Sequence, residues 1–226
     1  RIRTLLVAER RLLQDVSHEL RSPLARLSFA ARLARTSPDR EAAIDRIKTE
    51  IDRLTELVSS LIEVTRAEGD PNERPRDVVD LGKLVENVAD ACKLDAQSKS
   101  CTIRYHGPAG AMLPGNAELL RRAIENILRN GIRYAPSGSS IDVKLETEGP
   151  EAILAIRDNG PGVPADKLDR LFEPFFRVEA SRDSAEGGVG LGLAIARRAV
   201  SVHNGTLRAE NANPGLRVIV KLPLTQ

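Results

Sequence analysis

The 226-residue chain contains no Trp, and only 3% of its residues are aromatic, so any hydrophobic core must be built from aliphatic side chains. The two cysteines, Cys92 and Cys101, belong to no CxxC pair and to no Cys/His cluster. A reduced cytosolic setting is therefore the default, and a disulfide between them has no support. No apolar run approaches the ~20 residues of a membrane span, and no signal peptide is visible.

An excess of charge of one sign is also missing, because 34 basic residues oppose 32 acidic ones. The composition therefore gives no electrostatic case for nucleic acid or for an anionic membrane as a partner. The length allows one large domain or two small ones. The chain begins on Arg1 without Met, already in helical register, and we interpret it as a fragment.

The N-terminal third has the apolar spacing of two amphipathic helices. The first predicted helix ends near Thr36, and the second runs from Ser37, as N-cap, and Pro38 to about Glu68. Two long helices joined by a short loop form a hairpin, which cannot bury both apolar stripes by itself. Pairing with a second copy would give a four-helix bundle, so we predict a homodimer.

A histidine lies on the polar face of the first predicted helix. His18 falls roughly opposite the apolar stripe, Glu19 follows it, and Ser22 lies one turn later on the same face. Pro23 removes a backbone hydrogen bond and should bend the helix. A lone exposed His is usually an ordinary surface residue, so this stretch alone also fits a coiled linker without chemistry.

After a linker-like segment, Gly69–Arg76, the pattern becomes mixed. It predicts helices over 81–97, 116–134 and 191–202, and strands over 101–106, 141–146, 152–157, 206–210 and 216–222. The second and third strands should be antiparallel across Gly149 and Pro150. This order predicts an α+β fold in which one sheet carries helices on one face.

Two asparagines in this second part share a helix face. Asn126 and Asn130 are four residues apart, with Arg133 and Tyr134 at the helix end. A carboxamide oxygen suits Mg²⁺, which keeps most of its waters and takes few protein ligands. The cation and the aromatic ring could serve phosphate and base. The alternative is two polar residues on a solvated face.

Two glycine-rich stretches complete the candidate site. Asp158 ends a predicted strand before Gly160 and Gly162, and its carboxylate could accept a hydrogen bond from an amine such as that of adenine. This stretch could also be a simple loop. Glycines 188, 190 and 192 precede a helix, whose free N–H groups can bind phosphate. They form neither a Walker A loop nor a dinucleotide fingerprint. The polar stretch 177–185 before them is typical of a mobile lid.

Five motifs in this order resemble those of the catalytic core of bacterial sensor histidine kinases. They are the H box at Ser17–Leu24, the N box at Asn126–Tyr134, the first glycine box at Asp158–Gly162, the F box at Leu171–Phe176 and the second glycine box at Gly188–Leu193. The N box and the approach to the second glycine box are also similar to those of Cpx-type envelope-stress sensors. The resemblance covers nearly the whole chain.

The resemblance implies an all-α helical hairpin that forms a dimeric four-helix bundle, followed by an α+β sandwich of the GHKL or Bergerat ATPase type. Residues 1–70 would form the dimerisation and histidine-phosphotransfer hairpin of the HisKA type. Residues 71–76 would be a linker, and residues 77–226 the catalytic ATP-binding domain of the HATPase_c type. The full protein would be a bacterial inner-membrane protein with this portion in the cytoplasm.

The resemblance also implies the chemistry. His18 would be the phosphoacceptor and Glu19 its base, with ATP and Mg²⁺ as cofactors and Asn130 as the metal ligand. The phosphoryl group would pass from ATP to His18 and then to an Asp of a response-regulator receiver domain. The implied ATP-binding residues are Asn126, Asn130, Arg133, Tyr134, Asp158, Gly160, Gly162, Gly188, Gly190 and Gly192.

Two positions depart from the family pattern. Ser22 stands where many relatives carry Thr or Asn, which puts phosphatase activity on the regulator in doubt. Gly131 replaces the usual Ala, a loss of about 1 kcal/mol of helix propensity. Two other functions stay open: an ATPase or serine kinase of the gyrase and heat-shock superfamily, and a non-catalytic dimeric scaffold. Such ATPases usually carry Glu where Asn126 stands, and they lack an H box.

Overall fold

The computed structural model describes residues 20, 21, 23–35, 40–67, 77–108, 110–178 and 189–225. The chain divides into two compact units between Ile62 and Glu63. Within the described ranges, no helix is both long enough and apolar enough to cross a membrane.

The first unit is a helical hairpin, as predicted. Helix α1 covers residues 23–35, preceded by helical residues 20 and 21, and α2 covers Arg40–Ala67. Arg26 on α1 donates two hydrogen bonds to the carboxylate of Glu50 on α2, from Nε at 2.8 Å and from Nη2 at 3.0 Å. Such a two-pronged pair fixes the register of the two helices. The predicted capping residues Ser37 and Pro38 lie outside the described residues.

The second unit contains two sheets. The smaller one pairs β1 (Asp77–Asp80) with β3 (Met112–Gly115) in antiparallel fashion. The larger one has the strand order β2-β4-β5-β7-β6. In it β2 is parallel to β4, and all other neighbours are antiparallel. Its strands are β2 Thr102–His106, β4 Ser140–Glu148, β5 Glu151–Arg157, β6 Thr206–Asn211 and β7 Leu216–Pro223.

Four helices accompany these strands, and their apolar sides form one aliphatic core with the large sheet. Ala152, Leu154 and Ile156 on β5 are buried in alternation, which is the pattern of a sheet covered on one face. The helices are α3 Leu81–Ala91, α4 Lys93–Ser98, α5 Ala117–Tyr134 and α6 Gly192–Val202, with 3₁₀ turns at Ala165–Lys167 and Asp169–Phe172.

Two details of the predicted fold were wrong. The helix expected over 81–97 is two helices, because the buried, free Cys92 lies in a turn between α3 and α4. The single predicted sheet is accompanied by a second one, formed by β1 and β3. Both of its strands have four residues, too few to show a clear period, and β3 contains Pro114, which is unfavourable within a strand.

Candidate nucleotide-binding site

Asp158 follows the last residue of β5 and is 5% exposed. Its Oδ1 accepts hydrogen bonds from the backbone N–H of Gly160 at 2.7 Å and of Leu216 at 3.1 Å. Burial raises the pKa of this carboxyl above its usual value, although the two N–H donors and the charge of Arg157 oppose that shift. The two hydrogen bonds to Oδ1 thus hold the Asp158 side chain in one orientation.

The turn after Asp158 packs against the end of α5. A Cβ added to Gly160 would lie 2.8 Å from the carbonyl oxygen of Tyr134, so only glycine fits there without a shift. Further along, Gly162 has a φ of +75°. Asn211 on β6 holds this loop, because its side chain accepts from the N–H of Val163 at 2.9 Å and donates to the carbonyl of the same residue at 2.7 Å.

Helix α5 carries the two predicted asparagines on one half-buried face. The Asn126 amide donates to the carbonyl of Arg122, one turn earlier, at 3.0 Å. Asn130 makes no hydrogen bond to another described residue, which leaves its carboxamide available. One residue later, a Cβ on Gly131 would lie 3.7 Å from the Cβ of Asp158. The helix therefore brings the turn that contains Asn130 to the end of β5.

The second glycine box meets α5 directly. A Cβ on Gly192, the first residue of α6, would lie 2.9 Å from Oδ1 of Asn126. The N-cap of α6 is the buried Leu191, and no side chain caps the first turn. The first N–H groups of α6 are thus left to a ligand, and they carry the positive end of the helix dipole. This is the arrangement in which helix N-termini bind phosphate.

The F box supports the second glycine box through the backbone. The N–H of Phe175 donates to the carbonyl of Gly190 at 2.9 Å, and both residues have a positive φ, +62° and +81°. A Cβ on Gly190 would lie 3.0 Å from the carbonyl carbon of Phe175. Arg170 stacks over the ring of Phe176 at 4.3 Å from its centroid. The F box thus anchors the segment that leads into α6.

The end of α5 offers an aromatic ring and a fixed backbone. Tyr134, the last residue of the helix, is 52% exposed, and Arg133 is half-buried. Lys99 donates to the carbonyl of Arg133 at 2.7 Å, which places a cation at the negative end of the helix dipole.

Most of the ATP-binding residues implied by the sequence therefore lie around α5, the end of β5 and the start of α6. Four other predicted residues, His18, Glu19, Ser22 and Gly188, lie outside the described residues, as does most of the predicted lid. The sequence did not suggest Asn211, because its contact to Val163 links segments far apart in the chain and no local pattern marks it. The F box was recognised, but the role of the Phe175 backbone was not.

A magnesium ion bound together with nucleotide phosphates fits these residues. Among the described residues, no group of three or more His, Cys, Asp or Glu could form a protein cage for a metal. The available carboxamide of Asn130 is a single hard oxygen ligand of the kind Mg²⁺ accepts when water and phosphate complete its shell.

Comparison with known proteins identifies both units. Residues 8–70 match the model of the His Kinase A (phospho-acceptor) domain. Residues 115–226 match the model described as histidine kinase-, DNA gyrase B- and HSP90-like ATPase. The sensor histidine kinase CpxA of Escherichia coli K12 is 33% identical over 222 residues, which cover 97% of this chain and 48% of CpxA. The chain spans about half the length of the curated relatives it matches.

Two solved structures of histidine kinases have a similar fold. The mycobacterial sensor histidine kinase MprB is 28% identical, with a TM-score of 0.59 over 66% of this chain and 97% of that one. The histidine kinase ThkA, solved in complex with the response regulator TrrA, shares the fold over 99% of this chain and 64% of that one, with a TM-score of 0.81 and 19% identity. With its phosphoacceptor-type hairpin and its ATPase-type sheet domain, the chain belongs to the sensor histidine kinases.

Proposed function

We propose that this chain binds ATP and transfers its γ-phosphoryl group to His18. The observation that carries the proposal is the convergence of Asp158, the Asn126–Asn130 face and the uncapped start of α6 in a chain whose residues 8–70 match a phosphoacceptor domain. Asn126 stands where the related ATPases usually carry a catalytic Glu, which favours phosphoryl transfer to the protein over simple hydrolysis.

Asp158 would recognise adenine. Its Oδ1 is already bonded to two backbone N–H groups, so Oδ2 is the oxygen left to accept a hydrogen bond from the exocyclic amine. The base would lie over the Gly160–Gly162 turn, with the exposed Tyr134 ring as an apolar surface beside it. Protonation at Oδ2 would remove this acceptor, so adenine binding should weaken as the pH falls through the raised pKa of Asp158.

The phosphates would lie at the start of α6. The N–H groups of its first turn would bind them, with Gly188 and Gly190 allowing close approach of the backbone, and Arg133 would contribute positive charge. Asn130 would hold Mg²⁺, and the ion would neutralise charge that develops on the phosphates. Asn126 would remain a polar neighbour of this region.

The reaction is one of positioning. A neutral His18 has a ring nitrogen with a free electron pair, which attacks the γ-phosphorus. The new N–P bond forms as the bond between phosphorus and the bridging oxygen breaks, and ADP leaves with that electron pair. Glu19 would accept the proton from the other ring nitrogen.

We also propose the wider setting. The hairpin, residues 1–70, would form a homodimer, and residues 77–226, after the linker 71–76, would act as the catalytic domain. His18 would then pass its phosphoryl group to an Asp of a receiver domain. The ThkA–TrrA complex makes a response regulator the natural partner. By analogy with membrane-bound sensor kinases, this portion would lie in the cytoplasm, attached to the inner membrane by segments outside the chain.

Radiolabelling tests the proposal. Incubation with γ-labelled ATP and Mg²⁺ should give protein-bound label that is lost in acid and stable in base, as expected for phosphohistidine. His18→Gln should abolish the label while ATP binding stays at the parent level. Acid-stable label, or label that survives this substitution, would contradict the proposal. Sustained phosphate release without any phosphoprotein would indicate an ATPase instead.

Ser22 has its own test. With a phosphorylated receiver domain as substrate, Ser22→Ala should remove the hydroxyl that would orient water and abolish any regulator phosphatase activity. Ser22→Thr should retain or raise it, because the added methyl group restricts the side chain. Both variants should incorporate label at His18 as the parent does. Equal phosphatase rates in parent and Ser22→Ala would exclude this role.

A further inference from the structure

A buried histidine at the far end of α6 is absent from the proposed chemistry. His203 is 7% exposed and follows the last residue of α6. Its Nδ1 lies 2.7 Å from the carbonyl oxygen of Ala199, and its Nε2 accepts the backbone N–H of Asn116 at 2.9 Å. Because a carbonyl can only accept, Nδ1 carries the proton and Nε2 is the acceptor.

Asn116 is the N-cap of α5, so this ring joins the ends of two helices. The Asn116 side chain accepts from the N–H of Leu119 at 3.0 Å, while its own N–H is bonded to His203. Gly115 precedes it, and a Cβ there would lie 2.6 Å from Cδ2 and 2.8 Å from Nε2 of the imidazole. A glycine therefore stands where the ring needs room to approach the backbone.

The same two helices meet again at the proposed ATP site, where Asn126 approaches Gly192. From Asn116 to Asn126 the rise along α5 is about 15 Å, and from His203 back to Gly192 the rise along α6 is about 16.5 Å. The two antiparallel helices therefore touch at two points, which are separated by nearly the same distance along each helix. A shift at one end moves the other, because packed helices move as rigid elements.

We propose that His203 is a positioning residue for the nucleotide site. It holds the start of α5 against the end of α6, and so sets the placement of Asn126 and Asn130 relative to the phosphate-binding start of α6. This inference rests on the proposed ATP site. Loss of the acceptor at Nε2 frees the N–H of Asn116, lets α5 slide along α6 and weakens ATP binding without removing any group that contacts ATP.

Four variants of the full chain test this inference. His203→Phe keeps a flat ring but has no acceptor, and Gly115→Ala keeps the histidine but displaces its ring. His203→Gln is the conservative variant, because its amide oxygen can accept from the N–H of Asn116 in place of Nε2. Val88→Ala, on the buried side of α3, is a control that loosens the shared core without changing a residue of either contact between α5 and α6.

The readouts are the Kd for Mg²⁺-ATP by calorimetry, the KM and kcat of self-phosphorylation, and the urea midpoint. We expect His203→Phe and Gly115→Ala to raise Kd and KM about tenfold, as for the loss of one positioning hydrogen bond, with kcat within about twofold. His203→Gln should restore Kd to within about threefold of the parent. Val88→Ala should lower the urea midpoint and leave Kd unchanged.

The inference is overturned if Gly115→Ala, or a folded His203→Phe, binds ATP like the parent. It is equally overturned if Val88→Ala raises Kd as much as they do, since the effect would then be one of general stability. If His203→Phe does not fold, Gly115→Ala and His203→Gln decide. Failure of the proposed function looks different, because the parent itself would then bind no ATP or carry no label at His18.

Discussion

The two units of this chain differ in what fills their interiors. Among the described hairpin residues, the buried ones are small or polar, namely Pro23, Ala30, Ala43 and Glu50. The sheet unit instead buries a continuous set of Leu, Ile and Val side chains between its helices and the large sheet. The sheet unit therefore carries its own core, whereas the described part of the hairpin leaves several large apolar side chains exposed.

The exposed apolar side chains of α2 are regularly spaced. Ile44, Ile51 and Val58 on α2 recur every seven residues, and each is 40% exposed or more. Between them, Ile47 and Leu54 are half-buried. This is the spacing of a helix that packs along a seam against further helices. The difference between the units indicates that the sheet unit can be stable alone, and the exposed seam of α2 supports the proposed pairing of the hairpin with a second copy.

The largest effect should come from a charge in this seam. We expect Ile51→Glu to weaken dimerisation by 100-fold or more. The reason is that a two-fold symmetric dimer would bury Ile51 of both copies, so the substitution removes two apolar side chains worth about 1.5–3 kcal/mol each. Analytical ultracentrifugation of the full chain measures the dimer Kd. Val78→Glu is the matched control, because Val78 is a 64% exposed apolar residue of the sheet unit. Equal Kd values for Ile51→Glu and the parent would show that the hairpin does not dimerise through α2.

The next largest effect is a loss of ATP affinity without a loss of stability in the sheet unit. Asp158→Asn should weaken ATP binding by about 10- to 100-fold, the value of a hydrogen bond to a charged group, or about 1.5–3 kcal/mol. Its stability should not fall. Burial raises the pKa of Asp158, so the ionised form costs the native state stability that grows as pH rises through that pKa. Asn removes this cost and can still accept at Oδ1.

Calorimetry with ATP and urea unfolding at pH 7 measure the two quantities. The parent should also gain stability relative to Asp158→Asn as the pH falls through the raised pKa of this carboxyl toward its ordinary value of 3.8, and its ATP affinity should fall over the same range. A large drop in urea midpoint for Asp158→Asn would contradict this separation and indicate that the carboxylate charge holds the turn together.

A smaller, stabilising effect is expected at Gly131, in the last turn of α5. Gly131→Ala should raise the stability of the sheet unit by about 1 kcal/mol, the difference in helix propensity. The new Cβ would lie 3.6 Å from Cγ2 of Ile141 and 3.7 Å from Cβ of Asp158, which are ordinary contacts. Thermal unfolding should show a rise in Tm of about 2–4 °C. A lower Tm would mean that the site requires a looser helix end.

The sequence was informative wherever the pattern is local. Apolar spacing predicted the strands of the large sheet and the helices α5 and α6 to within a few residues, and glycines with polar neighbours indicated most of the candidate site. The resemblance to histidine kinases then indicated one shared function for those motifs, the binding of ATP. Gly131 illustrates the value of this resemblance, because only the family pattern distinguishes it from any other helical glycine.

What could not be predicted depends on contacts between distant segments. Asn211 holds the loop at Val163 across many intervening residues, and His203 reaches Asn116 from the other end of the sheet unit. Neither residue has a local pattern that distinguishes it from an ordinary polar side chain. The break at Cys92 was also missed, because apolar spacing continues through it and only the backbone turn separates the two helices.

The smallest effect on stability should come from a substitution on the exposed surface of α5, outside the core of the sheet unit. Arg121 donates two hydrogen bonds to Glu118, and Arg122 donates a third. These bonds lower the pKa of Glu118 from 4.5 to about 2, and hydrogen bonding from Arg121 is the largest cause of the shift. Because both partners are partly exposed to solvent, Glu118→Gln should cost only about 0.5 kcal/mol at pH 7.

The sign of the pH dependence follows from the lowered pKa. The stabilisation by Glu118 is fully present above pH 4.5 and is lost as pH falls toward 2, so the urea midpoints of parent and Glu118→Gln should converge over that range. They should also converge in 1 M salt, which screens exposed charges. Glu148→Gln, an exposed position outside this cluster, should match the parent throughout. A difference in urea midpoint between parent and Glu118→Gln that persists in 1 M salt would mean that this surface stabilises the sheet unit by more than screened charge interactions.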